Sequence, residues 1–294
     1  MMLEQDYIIT TDSNSELPLS IAKAYHVPFV PMDYLLGGQE YFYDLGENTD
    51  FKAFFAAVRS GQIPSTSTYP PQYYVEFWRP MLEAGKDVLH IAFSSNLSAA
   101  YRFLSEAIEE LTILYPQRRV VAVDTKSISG GMAILVYCAL QRKADGASLD
   151  DVSAWLQANI PYANHWFTVN DLNHLRRGGR LSATTAIVGS VLNIKPILTL
   201  NKNGKIVPAD KVMGRRKAIN YLADKARELA VDPEHNAYII LHGDCLEEAQ
   251  ELKAMIEASV PFKECFLQFV GPVIGTHAGP DVMGLCFMGK ERID

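Results

Sequence analysis

Through the first half of the chain, short apolar runs rich in valine, isoleucine and aromatic residues alternate with longer segments whose apolar residues recur at helical spacing. That alternation is the pattern of βα units feeding a parallel sheet, because parallel neighbours need a crossover long enough to hold a helix. The spacing predicts strands at 7–11, 27–30, 88–93 and 120–124, with helices at 17–26, 50–59, 72–84 and 97–114 covering both faces of the sheet. Another amphipathic helix runs over 151–160, and Pro161 then breaks the pattern.

Beyond that break the arrangement changes. Strands at 165–169, 197–200, 205–208, 237–242, 265–270 and 285–288, with helices at 212–229 and 246–259, predict a mixed α+β unit. Asn203-Gly204 lies between two of these strands and predicts a two-residue type I′ hairpin. The expected architecture is α/β with two domains, a parallel-sheet domain over 1–162 and a mixed-sheet domain over 163–294, and 48% hydrophobic content supplies both cores.

Composition narrows the function classes. A formal charge of −7 and a pI near 5.5 argue against a general nucleic-acid or anionic-membrane binder, which needs a basic face. Met1 to Tyr7 is mixed and acidic, and no apolar run reaches the roughly 20 residues that span a bilayer, so a cytoplasmic protein without stable membrane insertion is expected. Cys138, Cys245, Cys265 and Cys286 are far apart in apolar segments, the pattern of buried free thiols and not of a zinc site or a disulfide framework.

Three predicted strands end in hydroxyl clusters: Thr10-Thr11-Asp12-Ser13, Ser94-Ser95-Asn96-Leu97-Ser98 and Asp124-Thr125-Lys126-Ser127. In a parallel sheet these carboxyl ends share one edge, where helix N-termini favour negative charge. Such hydroxyls either cap their own helix or donate to a bound oxyanion. Ser13 and Glu16 have capping-box spacing, with Pro18 at the start of the next helix, so that loop also has a structural explanation. The loop Pro64-Ser65-Thr66-Ser67-Thr68 adds a run of hydroxyls with no structural reason of its own and tips the balance toward a neutral-donor pocket for a small anionic head group.

Two other stretches carry chemistry. Arg176-Arg177-Gly178-Gly179-Arg180 either aims guanidinium groups at a phosphate or carboxylate or forms a solvated basic turn ending a helix. Gly271 to Pro280 forms a glycine-punctuated turn carrying Thr276 and His277, the latter a donor, a proton shuttle or a hydrogen-bonded structural residue. Ser20-Ile-Ala-Lys23 falls inside a helix and lacks the partner motifs of serine acylases. Gly284 to Lys290 imitates a phosphate loop without the following Ser or Thr or a helix.

The order of motifs resembles that of the DegV family of lipid-binding proteins over essentially the whole chain. The resemblance rests on Thr11-Asp12-Ser13-Asn14-Ser15-Glu16, Ser65-Thr66-Ser67, Ser94 to Tyr101, Asp124 to Gly131, Leu175 to Arg180, Lys195-Pro196-Ile197-Leu198 and Gly271 to Pro280. It implies a two-domain α/β protein holding one long-chain fatty acid between its domains, with no cofactor. It also implies presentation of the carboxylate to a separate ATP-binding fatty acid kinase subunit, with no activity of the chain's own and with Arg176, Arg180 and His277 as candidates to assist phosphate transfer. On that pattern the carboxylate donors fall on Thr66, Ser67, Ser94, Ser95, Thr276 and His277, and the arginine associated with phosphate transfer is Arg176 or Arg180. Two departures stand out: Ala99 replaces a common glycine, and Asp281 puts an acid near the expected head group. The alternatives are a passive lipid carrier or sensor without a kinase, and a serine hydrolase or acyltransferase using Ser94 or Ser95 with His277.

Overall fold

The computed structural model describes residues 7–181 and 193–294; residues 1–6, read above as the mixed approach to the first strand, lie outside it. In chain order the first half contains β1 (Tyr7–Asp12), α1 (Leu19–Ala24), β2 (Phe29–Val30), β3 (Asp33–Leu36), β4 (Gln39–Phe42), α2 (Phe51–Arg59), β5 (Ser65–Thr66), α3 (Pro71–Glu83), β6 (Asp87–Ala92), α4 (Ala100–Leu114), β7 (Val120–Asp124), α5 (Ser129–Ala144) and α6 (Leu149–Asn159). The second half contains β8 (Ala163–Thr168), α7 (Asn173–Arg177), β9 (Ile194–Leu200), β10 (Ile206–Met213), α8 (Arg215–Leu229), β11 (Ala237–His242), α9 (Leu246–Glu257), β12 (Glu264–Phe269), α10 (Pro272–Ala278) and β13 (Met283–Met288).

The predicted parallel sheet is present, with order β2-β1-β6-β7 and every pairing parallel. A six-stranded mixed sheet, β10-β9-β8-β13-β11-β12, is built from the second half, where only β11 and β12 run parallel. Along β11, Ile239 and Leu241 join the core shared with the first sheet, whereas Tyr238 and Ile240 join a second core under α8 and α9. That is the period-two alternation of a strand with both faces covered.

Three features depart from expectation. Helix α5 is apolar around its whole circumference because it lies between the first sheet and β8, β11 and β13, so no amphipathic period marks it. Gly130 and Gly131 open it; a Cβ on them would stand 2.7 Å from the Leu241 side chain and 1.9 Å from His165 Nε2. A small antiparallel sheet, β4-β3-β5, also went unread. Its Gly37-Gly38 turn has φ of 61° and 81°, the doubly left-handed backbone of a type I′ hairpin. At 203–204 the hairpin forms, but only Gly204 is left-handed (φ 74°), and Asn201 N–H pairs with the Lys205 carbonyl across a wider loop.

Local chemistry also corrects the first loop. Ser13 Oγ accepts the Met32 N–H at 2.9 Å and Glu16 turns into the core, so no capping box forms there. A capping box closes instead at Ser148 and Asp151, opening α6. All four cysteines are free, with Cys286 buried and the other three half-buried. Among the described residues no helix is long and apolar enough to cross a membrane.

Candidate functional site

The carboxyl edge of the parallel sheet faces the near side of the mixed sheet, and α10 fills one flank of the gap. Between them lies a cavity of about 290 Å³, near the lower end of the roughly 300–1,000 Å³ common for ligand pockets. Phe93, Leu97, Ile128, Phe167, Leu241 and Ile274 give it an apolar interior drawn from both halves. Thr66, Ser67, Arg180 and His277 supply polar atoms to the same wall. Among the described lining residues, Arg180 carries the one full positive charge and none carries a full negative charge.

Each polar group is held by its own element. Thr66 ends β5, where pairing with Tyr34 fixes its side chain, and Thr66 Oγ1 lies 3.0 Å from His277 Nε2. His277 sits in the last turn of α10, which is a helix and not the turn expected from its glycines: Pro272 opens it and Gly279, at φ 77°, ends it. Gly178 allows the imidazole close, since a Cβ there would stand 2.3 Å from His277 Nδ1. Burial, and then the nearby Arg180 charge, lower the His277 pKa to about 4, so the ring is neutral at physiological pH. Arg180 Nε donates to the Leu97 carbonyl at 3.1 Å, and its Nη1 donates to the Gly178 carbonyl. Burial lowers its pKa from a value so high that the charge persists. Ser67 Oγ donates to buried Asp33 Oδ2 at 2.5 Å.

The other expected donors lie elsewhere. Ser94 is fully buried, and its hydroxyl donates to the Gly204 carbonyl at 3.0 Å. Ser95 Oγ accepts from Lys126 Nζ at 2.8 Å. Thr276 Oγ1 donates back to the Pro272 carbonyl within its own helix at 2.8 Å. Arg176 is exposed on α7, outside the cavity lining. Neither Ser94 nor Ser95 bonds His277, so the nucleophile-base pair of the hydrolase alternative does not form. Asp281 is also turned away: it pairs with Arg59 Nη2 at 2.7 Å, and Arg59 pairs with Asp244 as well. The acid expected to oppose an anion is therefore ion-paired outside the cavity lining. The phosphate-loop imitation at 284–290 lies mainly in β13.

Several lining residues escaped sequence reasoning. Ser98, Asn14 and Ser129 were within the motifs already noted but were not separated from their neighbours. His165 had no signal at all; it is buried in β8, with Nε2 at 3.2 Å from the Ile128 carbonyl and a pKa lowered by burial to about 3. Ala99 also lines the cavity with an ordinary helical backbone (φ −75°), so glycine is not required there. Asp232, Glu234 and His235 could converge on a metal ion, but they are exposed and are not part of this lining.

Comparison with known proteins places this geometry in a group. A family model described as "Uncharacterised protein, DegV family" matches residues 7–290. A DegV domain-containing protein of Clostridium perfringens is 36% identical over 286 residues, covering 97% of this chain and 98% of the relative. Among solved structures, a DegV family protein of Thermus thermophilus, described for fatty acid binding, superposes with a TM-score of 0.87 at 28% identity, over 97% of this chain and 100% of its own. DegV of Bacillus subtilis, described as a fatty acid binding protein, superposes with a TM-score of 0.84 at 27% identity, over 98% and 100%.

Proposed function

The chain belongs to the DegV family, and from that premise we propose that it binds a long-chain fatty acid between two domains, 1–162 and 163–294, with the carboxylate at Arg180 and the Thr66 hydroxyl, which His277 orients, while Ser67 is engaged with Asp33 beside them. The observation that carries this reading is an apolar cavity whose described lining holds a single full charge, the Arg180 cation, beside uncharged donors. Burial of the acyl tail contributes about 0.8 kcal/mol per methylene, so affinity comes from the tail and orientation from the polar wall. With its proton on Nε2, neutral His277 donates to Thr66 Oγ1 and frees the Thr66 hydroxyl hydrogen for the ligand oxygen. Relatives of matching fold described as fatty acid binders support the same ligand class.

The finer reading is delivery of that acid to an ATP-dependent kinase subunit in the cytoplasm. Arg180 then stabilises charge as the carboxylate attacks the terminal phosphoryl group of ATP and ADP leaves, and Arg176, exposed on α7 outside the cavity lining, meets the incoming phosphates. Organic extraction and mass spectrometry of the purified protein test the first claim: a stoichiometric long-chain acid is expected. Failure to carry one, together with no uptake of added acid, rules it out. Addition of ATP and a candidate kinase subunit, with hydroxylamine trapping, tests the second. Trapped acyl hydroxamate is expected, and binding without it leaves a carrier or sensor.

A further inference from the structure

Two motifs, Thr11 to Glu16 and Asp124 to Gly131, put Asn14, Ile128 and Ser129 into the cavity lining without supplying a proposed carboxylate contact, and the fold brings their ends together. Glu16 is fully buried with φ 50°, and Ser129 has φ 51°, so two side-chain-bearing residues hold left-handed backbones at their meeting point. Such conformations persist only where the surroundings over-determine them. The two residues are joined directly: Ser129 Oγ donates to Glu16 Oε2. The second oxygen, Oε1, accepts the backbone N–H of Gly271, the residue that caps α10. Gln268 Nε2, near the end of β12, donates to the Glu16 carbonyl at 2.7 Å. One residue from the parallel-sheet half thus grips both the start of α5 and the junction of β12 with α10.

At the far end of α10 the Thr66–His277 contact and the Arg59–Asp281 pair also tie it to that half, but at its amino end the other contacts are non-directional. A Cβ on Gly271 would stand 2.4 Å from the Tyr43 ring, and one on Gly275 would stand 2.9 Å from the Phe54 ring. These close approaches set how near the helix lies without fixing its axial position. The Glu16 to Gly271 hydrogen bond is directional, and His277 follows six residues later on the same short helix. A shift at Gly271 is therefore transmitted through the helix backbone to the His277 ring and its 3.0 Å contact with Thr66.

We propose that Glu16 is a positioning residue of the carboxylate pole, fixing the amino end of α10 against that of α5 and thereby holding His277 in register with Thr66. Burial raises the Glu16 pKa to about 8, while the Ser129 and Gly271 hydrogen bonds oppose the rise. Both protonation states keep the tie: a carboxylate accepts from Ser129 and Gly271, and a carboxylic acid accepts from Gly271 and donates to Ser129. Reach, more than charge, is what the position demands. Glutamine preserves reach without charge, and aspartate preserves charge without reach.

The experiment compares Glu16→Gln and Glu16→Asp with the wild-type chain. His277 ring nitrogen shifts and Gly271 amide exchange are read by NMR without ligand, and affinity is read with cis-parinaric acid. In Glu16→Asp the Thr66-bonded His277 signature is expected to disappear, Gly271 exchange to accelerate and probe affinity to drop by about tenfold, the scale of one lost hydrogen bond. Glu16→Gln is expected to stay near wild type in all three. An unchanged His277 spectrum in folded Glu16→Asp, or equal disturbance by Glu16→Gln, overturns the proposal. So does unprotected Gly271 exchange in the wild-type chain, a measurement that needs no variant to fold. The affinity arm alone rests on the fatty-acid reading: if the wild-type chain takes up no probe, that reading fails, while ring shifts and exchange still judge Glu16.

Discussion

The loops Pro64 to Thr68 and Ser94 to Ser98 are both rich in hydroxyls, but they do opposite work. In the first, Thr66 and Ser67 line the cavity, and Thr66 meets His277 from the other half of the molecule. In the second, Ser94 donates to the Gly204 carbonyl, and the Asn96 side chain donates to the Asn203 carbonyl at 2.7 Å. The second loop is thus a dock for the β9-β10 hairpin, and only its far end, Leu97 to Ala99, reaches the cavity. A hydroxyl cluster at a strand end acquires its role from what lies across from it. A small anion finds donors there only if no backbone carbonyl has already taken them.

If docking and binding are separate, substitutions divide cleanly between them. Gly204→Ala carries the largest expected effect, because its φ is 74° and a Cβ would stand 2.4 Å from Ser94 Oγ and 2.8 Å from Lys126 Cα. A destabilisation of roughly 2 kcal/mol or more is expected, read as a lower midpoint in urea. Affinity of the remaining folded protein for a fatty acid should change little. Arg180→Met is expected to do the reverse: near-wild-type stability, but a loss of about 1.5–3 kcal/mol in binding, or roughly 10- to 100-fold by calorimetry, as for a hydrogen bond to a charged group. If Gly204→Ala abolishes binding while Arg180→Met spares it, the acid's oxygens are held at the hairpin dock and not at Arg180.

The frame of this molecule was readable because strands and amphipathic helices keep a period. The runs at 7–11, 120–124 and 237–242 became β1, β7 and β11 within a residue at each end. Helix α5 broke no rule of propensity but has no polar face, so burial on both sides erased its period. Asn203-Gly204 carried the stronger type I′ signal yet closed a wider loop, whereas Gly37-Gly38 adopted the doubly left-handed turn. At the site, Thr66, Arg180 and His277 were legible through the order of motifs. Their convergence was not, because it depends on packing between residues far apart in the chain. Ser13 and Glu16 show the same limit, since capping-box spacing cannot reveal that the carboxyl is needed by Gly271.

A smaller effect sharpens the account of the first loop. Thr66→Val keeps the shape of the side chain and removes the hydroxyl that meets His277 and is proposed to donate to the ligand. A loss of about 1 kcal/mol in binding, roughly fivefold, is expected, with the unfolding midpoint nearly unchanged because the position is only half-buried. Unchanged affinity would mean that the acid's oxygens are held by Arg180 without Thr66.

The smallest expected effect is the sharpest test, because sequence reasoning made Ser95 a carboxylate donor. Its hydroxyl accepts from Lys126 Nζ, and that ammonium group also pairs with Asp124 at 2.6 Å, so the local charge remains balanced when the hydroxyl is removed. Ser95 is half-buried and outside the cavity lining, and its backbone N–H still reaches Asp124 after substitution. Ser95→Ala should therefore change both stability and fatty-acid affinity by less than about 0.5 kcal/mol, the ordinary range for a substitution away from a buried network. A tenfold loss of affinity measured by calorimetry would show that the ligand draws Ser95 away from Lys126. The Ser94 to Ser98 loop would then serve as a dock and a donor at once.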